Sequence, residues 1–263
     1  MPVTEWDQVA AAYDVLQGTT GDPYRRLIVD PALSALLGQV KDQTILDAGC
    51  GNGYLTHRLS NQGARLTAFD QSAHLLSKAR ERFPALDFQQ ADFTEPLPFA
   101  PDSFDLILSH LVFQDLPDLT LPLRECQRML KPGGRLVVSI VHPSFAYPTT
   151  KAVLSLIDRL RRRPAQLIAN NYQDEGPIQA MIPGLPLPTT RYHRRLSTYV
   201  RSFQTAGWLI RSLVEPSALD GLTAEDDQAL SNWPIPAAYV PVHLTRTRGV
   251  PFVLIFELLA RRG

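Results

Sequence analysis

A run of glycines set between an apolar segment and an amphipathic one is the feature that most constrains how this chain folds. Gly49, Gly51 and Gly53 follow the apolar residues 45–48 and come before a helical pattern that begins at residue 55. A backbone without side chains lets a ligand lie against the main chain, where amides and the positive end of a helix face it. The sequence therefore predicts a strand, a ligand-binding turn and a helix, which are the first units of an α/β fold.

Short apolar runs alternate with helical patterns between residues 44 and 142, and this alternation predicts a parallel sheet with crossover helices. The strands predicted in this part of the chain are residues 44–48, 65–70, 86–90, 104–109 and 135–142. The helices predicted between them are residues 55–62, 73–82 and 119–130, the last ending at the KPGG sequence of residues 131–134. Residues 5–37 are expected to form two helices that stop at Gly38. Further elements are expected as a helix over residues 197–206 and strands over residues 208–214 and 251–260.

The charge balance of the chain limits the kinds of molecule that it is expected to bind. The chain has 263 residues, with 26 Lys and Arg against 26 Asp and Glu. A net charge of zero gives no field that would draw the protein to nucleic acid or a membrane surface, so we expect a small-molecule partner. The cysteines, Cys50 and Cys126, fit neither a disulfide framework nor a zinc spacing, and no metal site is expected. We interpret the chain as a cytoplasmic protein without a signal peptide or a membrane span.

Three residues near the glycines indicate which ligand the turn holds. Asp70 stands about 20 residues further on, where a carboxylate can accept hydrogen bonds from both hydroxyls of a ribose. A dinucleotide-binding turn has its third glycine where this chain has Tyr54, which disfavours a pyrophosphate. Asp47 would also repel a pyrophosphate, whereas it suits a cofactor that carries an ammonium group. The pattern therefore favours S-adenosylmethionine over a nicotinamide dinucleotide, and an oxidoreductase becomes the weaker interpretation.

A series of motifs in fixed order extends across residues 40–142. It consists of DAGCGNG at residues 47–53, Asp70, ADF at residues 91–93, DSFD at residues 102–105 and LKPGG at residues 130–134. The series resembles the successive motifs of class I S-adenosylmethionine-dependent methyltransferases. The resemblance implies an α/β, Rossmann-like, doubly wound sheet of seven strands, whose last strand is antiparallel and lies between the fifth and the sixth.

The resemblance also implies roles for individual residues. The residues that it assigns to the cofactor site are Tyr13, Arg25, Asp47, Gly49, Gly51, Gly53, Asp70, Gln71, Asp92, Phe93, Ser109 and His110. Asp47 and the Gly49 backbone are expected at the methionine end of the cofactor. Asp70 is expected at the ribose, and Asp92 at the adenine amino group with Phe93 beside the ring.

One arginine and two histidines are the candidates for binding and proton transfer at the end of the site where the methyl group reacts. Arg25 is expected to pair with the cofactor carboxylate, although Arg26 would serve equally well on sequence grounds. His142 ends the fifth predicted strand and His193 stands where a predicted cap returns to the core, so either could accept a proton near pH 7 as a catalytic residue. A plain structural role is an equal alternative for each histidine. We interpret the arginines of residues 191–196 as a solvated surface.

The predicted organisation is a core with covers over its ligand-binding edge. Helices in residues 1–40 cover the cofactor site, residues 41–143 and 194–263 form the core, and the proline-rich residues 144–193 form an inserted substrate cap. The predicted function is transfer of a methyl group from S-adenosylmethionine to a small organic acceptor, with S-adenosylhomocysteine as product. An RNA or protein methyltransferase and a catalytically silent S-adenosylmethionine-binding protein stay open as alternatives. We expect a monomer or a homodimer.

Overall fold

The computed structural model describes residues 3–145, 150–153, 166–169, 171–182, 184–217, 223, 225–226 and 251–261. The strands, numbered in chain order, are β1 Thr44–Ala48, β2 Arg65–Asp70, β3 Asp87–Gln90, β4 Phe104–His110, β5 Leu130–Val141, β6 Thr150–Val153, β7 Gln166–Ala169, β8 Gly176–Ala180, β9 Thr189–His193, β10 Trp208–Val214 and β11 Val253–Ala260. The α-helices are α1 Glu5–Gln17, α2 Asp30–Leu37, α3 Tyr54–Ser60, α4 Ala73–Arg82, α5 Thr120–Met129 and α6 Leu196–Thr205. A π-helix, Arg25–Val29, runs into α2, and a 3₁₀ turn, Phe113–Asp115, follows β4.

The main sheet has seven strands in the order β10-β11-β5-β4-β1-β2-β3. Strands β1 to β5 pair in parallel, and β11 runs antiparallel to both of its neighbours, β5 and β10. The last strand therefore lies between the fifth strand of the sheet and the sixth, which confirms the predicted fold class. Because the order reverses between β1 and β4, the carboxyl ends of these two strands border a crevice suited to a ligand.

Apolar side chains cover both faces of this sheet, as the consecutive apolar residues of its strands predict. Along β4, Ile107 packs into a cluster with α5 and α6, whereas Leu106 and Leu108 pack into a second cluster with α2 and α3. All three side chains are fully buried. The sheet therefore lies between two layers of helices, and a ligand can reach it only at its edge.

The N-terminal helices begin and end at residues that fit their positions. Thr4 Oγ1 accepts a hydrogen bond from the Asp7 amide, and the Asp7 carboxylate accepts one from the Thr4 amide, which closes a capping box on α1. Helix α2 stops at Gly38, where φ is +64°, as predicted. Among the described residues, no helix is both long enough and apolar enough to cross a membrane.

Helix α5 ends before the KPGG sequence, as predicted, but KPGG itself already belongs to the following strand. Helix α5 ends at Met129, and Leu130 is already extended and pairs with Phe104, so residues 131–134 belong to β5. The register between β4 and β5 shifts after Phe104, and Gly133 adopts a φ of +79° within this irregular stretch. The predicted start of this strand at residue 135 was wrong, because a strand can absorb glycines where its pairing is interrupted.

Two antiparallel strand pairs, β6 with β7 and β8 with β9, lie within the predicted cap of residues 144–193. Strand β9 meets helix α1, because the Glu5 carboxylate accepts hydrogen bonds of 2.8 Å from the amide and from Oγ1 of Thr190. Residues 146–149, 154–165, 170 and 183 of the predicted cap lie outside the described residues. The division into core, cover and cap stays a prediction.

Candidate active site

A cavity of about 750 Å³, measured with its open mouth, lies at the carboxyl edge of the sheet. Helix α1, the π-helix, Ile182 and strand β9 contribute to its wall along with the loops after β1, β2, β3 and β4. The predicted cofactor residues that line this cavity are Tyr13, Arg25, Gly49, Gly51, Asp70, Gln71, Asp92, Phe93 and His110. The structure thus brings together residues that are spread over almost a hundred positions of the sequence.

The loop after β1 presents bare backbone to the cavity at Gly49 and Gly51. Their φ angles are +85° and +57°, which favour glycine. The amides of Gly49 and Cys50 donate to the Phe69 carbonyl at 2.8 and 2.9 Å, which fixes the loop against the end of β2. A Cβ atom on Gly51 would make van der Waals contact with the Tyr13 ring at 3.4 Å, so a larger side chain there would enter the space between the main chain and this ring.

Asp70 at the end of β2 is held by two backbone amides. Gly51 donates to Asp70 Oδ2 at 2.8 Å, and Ser72 donates to Oδ1 at 2.9 Å. Burial raises the pKa of Asp70 to about 6, although both amides favour the charged form. The carboxylate is therefore ionised above that pH, and each oxygen keeps a lone pair for a donor in the cavity.

The opposite end of the cavity is a mostly apolar slot. Phe93 is 3% exposed and packs edge-to-face against Phe69, with 5.0 Å between the ring centroids. Leu75 lines the slot as well. Asp92 Oδ1 accepts a hydrogen bond of 2.8 Å from the Thr94 amide, which sets the direction of this carboxylate at the rim. Such a slot with one acceptor suits a flat ring that carries an amino group.

Arg25 and Tyr13 bring a cation to the glycine end. Arg25 Nη1 donates to the Tyr13 hydroxyl at 3.0 Å, and Arg25 Nε lies 3.7 Å from Asp22 Oδ2. Arg26, the alternative that the sequence leaves open, is exposed and lies outside the cavity wall. The geometry therefore favours Arg25 as the partner for an anionic group.

Asp47, Gly53 and Ser109 lie behind the cavity wall, where they support it. Asp47 Oδ2 accepts a hydrogen bond of 2.6 Å from Thr56 Oγ1, and burial raises the pKa of Asp47 to about 7. Ser109 Oγ donates to the Ala48 carbonyl at 3.1 Å and so joins β4 to β1. A Cβ atom on Gly53 would meet the Phe88 ring at 2.8 Å, so this glycine permits packing of α3 on the sheet.

The two histidines predicted as catalytic also lie outside the cavity wall. The Ser144 amide donates to His142 Nδ1 at 3.1 Å, so the proton of the neutral ring is assigned to Nε2, which lies 3.0 Å from Glu215 Oε1. Burial lowers the pKa of His142, and Glu215 opposes that shift. His193 Nε2 lies 3.0 Å from the Tyr172 carbonyl. The position of His142 at the end of β5 agrees with the sequence, but its side chain contacts Glu215 rather than the cavity.

Sequence reasoning missed several residues of the wall, among them Trp6, Gln114, Asp115, Ile182 and Arg191. Arg191 contradicts the solvated surface predicted for residues 191–196, because it lies in the cavity wall with 19% of its side chain exposed. Gln114 and Asp115 belong to the 3₁₀ turn directly after β4, where extending the argument for His110 by a few residues would have found them. For Arg191 the sequence carries no such signal.

Comparison with known proteins agrees with this geometry. Residues 46–138 match the family model described as a methyltransferase domain. The demethylmenaquinone methyltransferase of Renibacterium salmoninarum is 31% identical over 169 residues, which are 63% of this chain and 67% of that protein. The malonyl-[acyl-carrier protein] O-methyltransferase of Hahella chejuensis is 39% identical over 134 residues, 49% of this chain and 46% of that protein. The chain thus spans about two thirds of one curated relative and about half of the other.

A solved structure extends the similarity beyond the family motifs. The S-adenosylmethionine-dependent methyltransferase of Mesorhizobium loti matches with a TM-score of 0.68 and 25% identity, covering 88% of this chain and 96% of that one. The chain belongs to the class I S-adenosylmethionine-dependent methyltransferases. Its cavity fits the cofactor of that family, because bare backbone, a carboxylate, a cation and an aromatic slot follow one another along the wall.

Proposed function

We propose that this chain transfers the methyl group of S-adenosylmethionine to a small organic acceptor. The observation that carries the proposal is that one cavity joins the cofactor residues to a covered region beyond them, lined by Ile182 and Arg191 of the cap. Small-molecule sites are concave, mostly apolar and carry a few convergent polar groups. The names of the two curated relatives, which describe methyl transfer to demethylmenaquinone and to a malonyl group, support the same class of reaction.

Each polar group of the wall has a task in this proposal. Asp70 accepts hydrogen bonds from the ribose hydroxyls, and Arg25 with Tyr13 binds the methionine carboxylate. Asp92 accepts from the adenine amino group, while Phe93 packs beside the ring. When bound, the cofactor supplies a methyl group on a positively charged sulfur. Asp47 and Ser109 act through the loop and strands that they stabilise.

The chain promotes the reaction chiefly by alignment and by excluding water. A displacement at carbon needs the acceptor atom in line with the bond that breaks, and a covered, apolar cavity holds that geometry. Trp6 from α1 and Ile182 from the cap stand on this wall. We propose a supporting role for His142 and His193, which anchor the segments that lead into and out of the cap.

A screen for release of S-adenosylhomocysteine tests the proposal. The full chain is incubated with S-adenosylmethionine and a library of small acceptors, and Asp70→Ala is the control that lacks the ribose partner. Release that depends on one small compound and is lost in the control supports the proposal. Binding of the cofactor without turnover on any compound would favour the silent binding protein, and turnover on RNA or protein alone would favour the macromolecular alternative.

A further inference from the structure

The covered end of the cavity contains an ion pair that is too loose for a hydrogen bond. Arg191 Nε in β9 lies 3.6 Å from Asp115 Oδ1 in the 3₁₀ turn after β4. The Asp115 side chain is 10% exposed. Neither Asp115 Oδ1 nor Arg191 Nε has a hydrogen-bond partner among the residues that the structure describes. Because buried polar atoms are almost always paired in native proteins, two such atoms on residues that line one cavity point to a ligand group that contacts both.

This pair lies near the glycine end of the cavity rather than near the adenine slot. Arg25 is close enough to lower the pKa of both Asp115 and Arg191 by its charge. His110 is nearby on the wall, with Nδ1 2.6 Å from Ser139 Oγ and with Nε2 unpaired within the described part of the chain. The unpaired atoms therefore gather at the end where the proposed methyl transfer takes place.

The charges of Asp115 and Arg191 select the kind of chemical group that can contact both side chains. A carboxylate would pair with Arg191 but face the like charge of Asp115, and an ammonium group would pair with Asp115 but face Arg191. A hydroxyl donates its hydrogen to Asp115 Oδ1 and accepts the Arg191 N–H on its oxygen. The side chains of Trp6, Leu116 and Ile182 offer apolar surface for the rest of such a molecule.

We propose, building on the proposed methyl transfer, that the acceptor is a neutral hydroxyl compound whose hydroxyl group lies beside this pair and contacts both Asp115 Oδ1 and Arg191 Nε, and that Asp115 takes its proton. The O–H bond breaks and its proton moves to the carboxylate, while the oxygen forms a bond to the methyl carbon. The carbon–sulfur bond breaks and its electron pair stays on sulfur, which leaves a neutral thioether. Arg191 stabilises the negative charge that develops on the oxygen.

The electrostatics of Asp115 agree with a role as a proton acceptor. Burial raises the pKa of Asp115 to about 7, and Arg191 and Gln114 hold it from rising further. The other charged groups that act on it are Glu5 of α1, which raises its pKa, and Arg25, which lowers it. A carboxylate with this proton affinity accepts a proton near neutral pH far better than an exposed aspartate does.

Binding of three matched probes tests the selection of a hydroxyl. The full chain is saturated with S-adenosylhomocysteine, and the affinities for phenol, benzoate and benzylamine are measured by calorimetry. We expect phenol to bind most tightly, and Asp115→Asn and Arg191→Gln each to weaken phenol about tenfold. Asp118→Asn is the control, because Asp118 is exposed three positions further on and accepts from the Thr120 amide. Tighter binding of benzoate or benzylamine, or equal phenol affinity in all variants, would overturn the proposal.

A titration and a product assay test the proton transfer. A hydroxyl that donates to ionised Asp115 stabilises the charged form of this side chain. Phenol should therefore lower the pKa of Asp115, which is measured from its carboxyl carbon signal in ¹³C NMR. With S-adenosylmethionine present, the wild-type chain should form anisole and Asp115→Asn should form it at least about 100-fold more slowly. An unchanged or raised pKa, or no anisole from the wild-type chain, would overturn the role of Asp115. Failure of S-adenosylhomocysteine to bind at all would instead count against the proposed function.

Discussion

The Gly51 amide donates a hydrogen bond of 2.8 Å to Asp70 Oδ2. This contact joins the glycine loop after β1 to the carboxylate at the end of β2, and the Ser72 amide holds the other carboxylate oxygen. The bare backbone and the carboxylate that we propose as the ribose acceptor therefore hold one another in position without a bound cofactor. Preorganisation of this kind reduces the free-energy cost of ordering the site on binding.

The affinity for S-adenosylhomocysteine should fall as the pH is lowered through about 6, where Asp70 takes up a proton. The protonated carboxyl is a weaker acceptor for the ribose hydroxyls, so binding is tighter on the alkaline side of this pKa. Calorimetry at a series of pH values measures the effect. Asp70→Asn should bind about tenfold more weakly at neutral pH and lose this pH dependence. An identical profile in the variant would assign the titration to another group.

Arg25→Gln should weaken S-adenosylhomocysteine about tenfold or more, because it removes a charge-assisted contact to the cofactor carboxylate. The same variant should bind 5′-methylthioadenosine as the wild-type chain does, since that ligand lacks the amino-acid part. Arg26→Gln is the matched control, because Arg26 is adjacent but exposed. Equal losses for both ligands would mean that Arg25 maintains the shape of the site without binding the carboxylate.

Gly51→Val should abolish measurable cofactor binding, because its side chain would enter the space beside Tyr13 at a φ of +57°. Gly133→Val is the control for backbone strain alone, since Gly133 has a φ of +79° and no heavy atom lies within 4 Å of its added Cβ. Circular dichroism checks that both variants fold, and calorimetry measures the binding. Normal binding by Gly51→Val would show that the loop does not contact the cofactor.

His142→Gln should lower the free energy of unfolding by about 1 kcal/mol while changing turnover less than about tenfold, because the contacts of His142 are structural. His142 is 3% exposed, its Nε2 lies 3.0 Å from Glu215 Oε1, and its ring packs at a tilt of 36° against Phe145 with 4.6 Å between centroids. Denaturant unfolding and the S-adenosylhomocysteine assay measure the two effects. A turnover loss of about 100-fold with intact cofactor affinity would restore His142 as a catalytic base.

Much of the fold could be predicted because the signals for its helices and strands lie in neighbouring residues of the sequence. β1, β2, α4 and β10 have the predicted bounds, since each combines a clear periodicity with residues that stop or start an element. The glycine loop and Asp70 were also accessible, because parallel strands end at one edge and their loops must meet there. The predicted start of β5 at residue 135 was wrong because the pairing of β5 with β4 is a tertiary contact, which overrides the local signal of a proline and two glycines.

The acceptor end could not be predicted to the same extent. Asp115 and Arg191 approach each other only because strand β9 packs against the 3₁₀ turn after β4, and the distance between them along the chain hides this contact. His142 was placed correctly at the end of its strand, yet its side chain pairs with Glu215, 73 positions away. Residue type and strand position indicate which edge a side chain occupies, whereas its partner depends on packing between distant segments.

The paired hydrogen bonds of Glu5 with Thr190 carry a consequence for the timing of each catalytic cycle. They fasten helix α1 to the cap strand β9, and Asp7 of the same helix accepts a hydrogen bond of 2.6 Å from Ser72 Oγ beside the ribose residue. Helix α1 therefore contacts both strand β9 and the segment beside Asp70. We expect the two sides of the cavity to open together, so that bound S-adenosylhomocysteine slows hydrogen exchange of the β9 amides and the rate of product release follows the rate of this opening.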